Sequence, residues 1–150
     1  MRAFLRRVNQ AAVKVDETIV GKIDHGLLVF LAVQKGDCEE DRDWLSRKIL
    51  GVRMFDDEQG QMKLPISSEM GILVISQFTL YGNLKKGFRP SFHRAASSSV
   101  AKNKYEDFIE SLKSLYAGKV EKGAFGKEML VLSEDCGPVS LWLDSQAKDY

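Results

Sequence analysis

Alternating apolar and charged positions occupy the first third of the chain and predict β-strands. Residues 2–9 and 11–16 alternate in this way, and a third strand at 18–23 follows a turn near Asp16. The unbroken apolar run 27–33 is typical of a central strand covered on both faces. Together these segments predict a β-meander.

Helical spacing of apolar residues occurs in two later segments. The first predicted helix covers about 38–51, where Asp37 and Glu40 have the spacing of an N-terminal capping box. The second begins near the serines at 97–99, carries one apolar stripe, and stops at Gly118. Two helices are therefore expected in a chain otherwise rich in strands.

The remaining segments predict a hairpin, a long loop and two late strands. Residues 53–64 have the pattern of a hairpin, and 82–93 lack a clear period and indicate a functional loop. Residues 128–133 and 139–143 then predict two strands separated by 134–138. No repeat or linker divides the chain, so residues 1–150 are expected to form a single domain.

Composition excludes several classes of protein. The 44% hydrophobic and 29% charged residues are ordinary for a globular domain, and no run approaches the roughly 18 apolar residues of a membrane span. The first eight residues lack the apolar core of a signal peptide, so we expect a cytoplasmic protein. The two cysteines, Cys38 and Cys136, with only two histidines, favour neither a disulfide nor a metal site.

Charge is unevenly placed although the net charge is only +1. Residues 70–105 contain six Lys or Arg and no Asp or Glu, which leaves 22 − 6 = 16 basic against 21 acidic residues elsewhere. Such a segment is suited to contacts with phosphates. A solvated basic face without a partner is the alternative. The six residues are Lys85, Lys86, Arg89, Arg94, Lys102 and Lys104.

One strand ends in an unusual polar cluster. The buried-strand pattern that begins at Gly71 runs directly into Ser76, Gln77, Phe78 and Thr79 without a turn residue. If the extended geometry continues, Ser76 and Phe78 lie on one face and Gln77 and Thr79 on the other. The cluster is either a reactive site or a strand end whose hydroxyls bond neighbouring backbone.

A second motif stands near the C-terminus. Gly137-Pro138 lies between two predicted strands, where it could form an ordinary turn. However, Ser76-Gln-Phe-Thr-Leu80 matches a signature of the D-aminoacyl-tRNA deacylases, and Asp135-Cys-Gly-Pro-Val-Ser140 resembles that family's Asn-x-Gly-Pro-x-Thr signature. This chain has aspartate at position 135, where the family signature has asparagine, and serine at position 140, where the signature has threonine. Arg7-Val8, Gly26-Leu-Leu-Val29 and Gly87-Phe-Arg-Pro-Ser-Phe92 extend the resemblance along the chain.

The resemblance implies an α/β fold of the α+β type, with a mostly antiparallel sheet or barrel-like core and two main helices. It implies hydrolysis of the ester of D-aminoacyl-tRNA, and of glycine on a mismatched tRNA, by a homodimer. The sequence has no Walker loop, Gly-rich dinucleotide turn, Gly-x-Ser-x-Gly elbow or metal-binding histidine pair, so we expect no organic cofactor or essential metal. Ser76, Gln77, Phe78 and Thr79 would be catalytic. Gly137 and a cis Pro138 from the partner subunit, with Arg7, would select chirality through main-chain oxygens.

Several readings remain open from the sequence. Thr79 is either the nucleophile or a positioning group for water, and His93 is the nearest candidate base in the sequence. Lys85, Lys86 and Arg89 are the expected tRNA contacts. A non-catalytic nucleic-acid-binding module that stacks bases on Phe88 and Phe92 is the main alternative, and a structural dimerisation domain is another.

Overall fold

A long first strand lies at the centre of the fold. The structure is a computed structural model that describes residues 1–149, and its strand β1 spans Arg2–Val15. Along one edge β1 pairs antiparallel with β2, Thr18–Ile23, and with β3, Gly26–Ala32. Its other edge pairs along nearly its full length with β8, Leu130–Asp144. In a meander β3 would pair with β2, its neighbour in the sequence. Here β2 and β3 both pair with β1, so the predicted meander is wrong.

Two parallel strands extend the sheet. β6, Gly71–Ser76, runs parallel to β3, and β7, Lys119–Lys122, runs parallel to β6. The strand order is β2-β1-β3-β6-β7, with β8 on the far side of β1. The two ends of this order approach each other, because Lys119 Nζ donates to the Lys22 carbonyl at 2.8 Å. The result is a mixed sheet nearly closed into a barrel.

Two helices cover the sheet. They are α1, Glu39–Gly51, and α2, Ser98–Leu115, and a small hairpin of β4, Phe55–Asp56, and β5, Met62–Leu64, completes the fold. Leu45 of α1 and Phe108 of α2 share a buried cluster with Val29, whereas Leu28 belongs to a second cluster. Successive strand residues point to opposite faces, so the helices cover one face and the barrel interior holds the other.

The barrel-like core with two helices confirms the predicted fold class, but several boundaries differ. Residues 2–9 and 11–16 form one strand, because the polar Asn9 and Gln10 lie at a β-bulge and bond to Glu134 instead of ending the strand. The two predicted strands around 134–138 are likewise one strand. The capping box joins Cys38 and Asp41, one residue later than predicted. Among residues 1–149, neither helix has the length and hydropathy of a membrane span.

Candidate functional site

The polar cluster lies where β6 ends. Ser76 is the last residue of β6, and the Gln77 N–H donates to the Leu31 carbonyl at 2.7 Å, which ties this end to β3. Residues Phe78–Tyr81 then form a turn of 3₁₀-helix. The predicted alternation of faces through Thr79 is therefore wrong. Instead the turn brings Thr79 back towards Gln77, whose Nε2 donates to Thr79 Oγ1.

A cavity of about 690 Å³ opens beside this turn. Ser76, Gln77 and Phe78 contribute one wall, and the exposed Thr79 lies just outside the lining. The lining is otherwise mostly apolar, which is typical of ligand sites where a few polar groups fix orientation. Its other walls include Tyr105, Phe125, Met129, Ala95 and Ala96.

Arg2 holds the turn in place. Its Nη1 donates to the Leu80 carbonyl at 2.9 Å, and its Nε donates to Asp144 at 2.7 Å. The guanidinium also lies over the Tyr81 ring, 4.4 Å from the centroid. Burial, with the carboxylates of Asp37 and Asp144, holds the pKa of Tyr81 above its usual range, so its hydroxyl stays neutral. Arg2 of β1, itself paired with Asp144 of β8, thus fixes the 3₁₀ turn in position.

The loop at residues 82–93 carries Lys85, Lys86 and Arg89 and forms the basic loop of the protein. It starts at the rim of the same cavity. Asn83 and Ser91 exchange two backbone hydrogen bonds of 2.9 and 3.0 Å, which close residues 84–90 into a hairpin-like tip. At its base Phe92 packs edge-on against Phe78, with ring centroids 5.0 Å apart. The predicted tRNA contacts Lys85, Lys86 and Arg89 are all exposed on this tip.

The Gly-Pro motif lies in a bulge of β8. Arg6 pairs with Ser140 and Val8 with Asp135, so residues 136–139 stand opposite Arg7 alone. The Gly137-Pro138 peptide bond is cis, and Gly137 has φ +118°, in the region that favours glycine. Both residues are exposed, and the bulge presents them outward.

Arg7 supports this bulge from beneath. It is 7% exposed, and its Nε donates to the Cys136 carbonyl at 3.2 Å. Its Nη1 donates to the Met54 carbonyl at 2.8 Å and to Asp56 at 3.1 Å. One guanidinium therefore joins the bulge to the β4 strand, and it lies behind Gly137 as a support.

The aspartate at 135 is paired. Its Oδ2 accepts hydrogen bonds from Nε and Nη2 of Arg6, the Nε contact being 3.1 Å long. A carboxylate is a better partner than an amide for a guanidinium, since it accepts two charge-assisted bonds. The substitution that departs from the family signature thus has a cross-strand partner that uses its charge.

The two motifs do not meet within one chain. Ser76 is level with Leu31 and Ala3, whereas Gly137 lies beside Arg7 on the far side of β1. Three strand spacings and the rise from Ala3 to Arg7 separate them by roughly 20 Å along a flat sheet. Neither Gly137 nor Pro138 is among the residues that line the cavity beside Ser76.

Other candidate residues lie outside the cavity lining. The Nδ1 of His93 is 3.3 Å from Ser91 Oγ, and Cys38 and Cys136 are free thiols. Within residues 1–149 no group of three or more His, Cys, Asp or Glu is placed to hold a metal ion. Sequence reasoning missed Tyr105, Phe125 and Met129, which carry no motif and reach the cavity only through the fold.

Comparisons with known proteins agree with the motifs. The family described as D-Tyr-tRNA(Tyr) deacylase matches residues 4–144. A D-aminoacyl-tRNA deacylase of Thermosipho melanesiensis is 50% identical over 97% of this chain and 98% of that protein. One of Aquifex aeolicus is 48% identical over 97% of this chain and 99% of that protein.

Solved structures share the fold. A c-Myc DNA unwinding element binding protein superposes with a TM-score of 0.90 and 34% identity over 96% of this chain and 98% of that one. A probable eukaryotic D-amino acid tRNA deacylase gives 0.79 at 18% identity over 95% and 97%, which supports the fold alone. The resemblance and the hydrolase class expected from the sequence are confirmed, and the chain belongs to the D-Tyr-tRNA(Tyr) deacylase family.

Proposed function

We propose that this protein hydrolyses the ester that joins a D-amino acid to the terminal adenosine of tRNA, and that glycine on a mismatched tRNA is a second substrate. The observation that carries the proposal is the cavity at the ends of β3 and β6, whose wall contains Ser76, Gln77 and Phe78. The family to which the chain belongs supports the same reaction. Because its substrate takes part in translation, we place the protein in the cytoplasm.

Thr79 acts as a positioning residue rather than as the nucleophile. A threonine hydroxyl needs a base to become nucleophilic, and the described partner of Thr79 Oγ1 is the amide of Gln77, which is no base. Water then attacks the ester carbonyl, assisted by the ribose 2′-hydroxyl of the substrate. An ester is an activated acyl group, so orientation supplies much of the acceleration.

The 3₁₀ turn provides donors for the developing oxyanion. The first N–H groups of a helical turn have no partner within it, and here they belong to Phe78 and Thr79. Each well-placed donor of this kind contributes roughly 3 kcal/mol to transition-state stabilisation in other hydrolases. Ser76 and Gln77 orient the substrate beside them.

Gly137 and Pro138 select the D enantiomer from the partner subunit. The exposed bulge, fixed by Arg7, offers rigid main-chain oxygens to the α-amino group of the substrate. In that position the backbone leaves no room for an L side chain. Main-chain atoms then distinguish the two enantiomers. This role explains why the bulge is rigid and faces outward, although it lies far from the cavity of its own chain.

A homodimer is consistent with the exposed surface of β8. Among residues 1–149, β8 pairs with β1 only, so its other edge is open along a long strand. Leu130, Leu132 and Trp142 are exposed on the same strand. Long edge strands with apolar side chains are normally covered. A second copy would cover β8 and bring its Gly137 and Pro138 to the cavity.

The test is hydrolysis of D-Tyr-tRNA and L-Tyr-tRNA by the wild type and two variants. We expect selective release of D-tyrosine, substantial activity in Thr79→Ala, and new activity on the L substrate in Pro138→Ala. Loss of all activity in a folded Thr79→Ala would restore the nucleophile model. Unchanged discrimination in Pro138→Ala would exclude the main-chain selection.

A non-catalytic nucleic-acid-binding module is the second candidate. It is favoured by the basic loop and by the structural similarity to a c-Myc DNA unwinding element binding protein. The same assay separates the two functions, because a binding module releases no amino acid from either substrate. Lys85, Lys86 and Arg89 would contact phosphates in both cases.

A further inference from the structure

We propose that the loop tip, residues 84–90, binds the unpaired nucleotides that precede the terminal adenosine of tRNA, with the Phe88 ring stacked on a base. This inference rests on the proposed function, since it takes the 3′ end of tRNA as the ligand. It adds a subsite outside the cavity and assigns it to one side chain.

Phe88 is the most exposed large apolar residue of the described chain, with a relative exposure of 103%. A single exposed apolar side chain is ordinary. Here the ring follows Gly87, whose φ of +79° turns the tip, and Leu84 in the same loop is 60% exposed. Both faces of the Phe88 ring are therefore open to a planar ligand.

The base of the loop is fixed to the cavity. The backbone pair between Asn83 and Ser91 closes the tip, and the ring of Phe92 contacts that of Phe78. Phe78 and Phe92 both line the cavity. The tip therefore projects from the rim of the cavity that receives the terminal adenosine in the proposed function.

The charge around Phe88 favours a polyanion. Lys85 and Lys86 precede Phe88 and Arg89 follows it in the sequence, and among residues 1–149 none of the three cations forms an ion pair. Cations beside an exposed aromatic ring are the combination that binds single-stranded nucleic acid, through phosphate contacts and stacking. Lysines are depleted from the cores of protein interfaces, so this tip is poorly suited to a second copy of the chain.

The experiment uses tRNA carrying 2-aminopurine in place of the nucleotide before the terminal adenosine. We expect the wild type to quench its fluorescence on binding, because stacking quenches this base. Phe88→Ala should abolish the quench and weaken binding about tenfold, in line with the loss of one stacked base. Phe88→Tyr, which retains a ring, should restore both. Leu115→Ala, which removes an exposed apolar side chain at the end of α2, is the matched control and should change neither.

Salt dependence separates stacking from charge. Phe88→Ala should keep the wild-type slope of binding against salt, whereas Lys85→Ala with Lys86→Ala should flatten it. An unchanged quench in Phe88→Ala would overturn the proposal, as would dissociation of Phe88→Ala into monomers in sedimentation, which would make the ring a subunit contact. Release of D-tyrosine by the wild type is measured on the same preparation, so failure of the proposed function is seen independently of the quench.

Discussion

Arg7 Nε donates to the Cys136 carbonyl at 3.2 Å, and this bond links the first strand to the bulge that carries Gly137 and Pro138. The same guanidinium bonds the Met54 carbonyl and Asp56, so three acceptors from two separate segments converge on one side chain. An arginine has the planar fork of donors that such an arrangement needs. In the proposed mechanism Arg7 is a positioning residue, since it would act on the substrate only through the bulge.

Arg7→Lys should loosen the bulge while keeping the charge. The single nitrogen of a lysine ammonium cannot reach the acceptors that Nε and Nη1 of the guanidinium contact separately. Buried carbonyls would then lose partners at a cost of about 2 kcal/mol in the free energy of unfolding. We also expect the ratio of D to L hydrolysis to fall, which a purely structural role would leave unchanged. Urea unfolding and the two-substrate assay measure these effects.

The exposed Arg47 of α1 provides the control for that change. Arg47→Lys should alter neither the free energy of unfolding nor the discrimination ratio. If Arg7→Lys behaved as Arg47→Lys does, the bulge would not depend on the guanidinium.

Gly137→Ala should destabilise the protein, whereas Gly51→Ala should not. A Cβ at Gly137 would lie 2.8 Å from Val139 Cγ2 and 3.0 Å from Arg7 Nη2, at a φ of +118°. Left-handed backbone costs an L residue about 1–3 kcal/mol. Gly51 has nothing within 4 Å of its Cβ position and ends α1, so alanine there should stabilise by about 0.5–1 kcal/mol. Thermal unfolding of both variants tests the contrast, and equal shifts would contradict it.

The sequence predicted the motifs and the strong periodic segments better than their connections. Helix α2 was found because its apolar stripe recurs at helical spacing, and Leu112 and Phe108 of that stripe are buried as expected. By contrast, three of the four residues of Lys119–Lys122 are charged, and the parallel pairing of this strand with β6 depends on residues far away in the chain. No local pattern could have predicted that strand.

In the candidate site, too, the motifs were easier to predict from the sequence than the structure around them. Ser76 to Thr79 were recognisable as a motif, but the 3₁₀ turn that redirects them depends on Arg2 and its contact with Leu80. The continuity of β8 through Pro138 was missed because a proline usually ends pairing. Here the bulge carries the proline away from the ladder, which resumes at Ser140.

Removal of the hydroxyl group should change the free energy of unfolding in opposite ways at two buried tyrosines. Tyr105 Oη donates to the Val74 carbonyl at 2.7 Å, so Tyr105→Phe leaves a buried carbonyl without this donor and should cost about 1 kcal/mol. Tyr81 Oη has no hydrogen-bond partner among residues 1–149, so Tyr81→Phe should be neutral or stabilising. Urea unfolding of the two variants side by side is the measurement. A larger loss in Tyr81→Phe than in Tyr105→Phe would reverse the assignment.

Asp41 should make stability depend on pH at the acid end. Burial acts to raise the pKa of its carboxyl, but hydrogen bonds from the Cys38 N–H, the Ser145 hydroxyl and the Cys38 thiol outweigh burial and hold the pKa below its usual range. A carboxyl whose pKa is lower in the folded state stabilises the protein above its unfolded pKa of about 3.9, and this stabilisation is lost as the pH falls through the folded pKa. Asp41→Asn should therefore destabilise the protein by about 1 kcal/mol at pH 7, with a difference from wild type that shrinks below about pH 4.

Asp43→Asn is the matched control, because that carboxylate lies on the same helix but pairs with the adjacent Arg42 at the surface. Exposed pairs of this kind contribute about 0–1 kcal/mol, so its effect at pH 7 should be small. Urea unfolding at pH 7, 5 and 3 distinguishes the two carboxylates. A difference between wild type and Asp41→Asn that grew towards pH 3 would mean that the folded state raises the pKa of Asp41, and the first turn of α1 would then be stabilised by its neutral form.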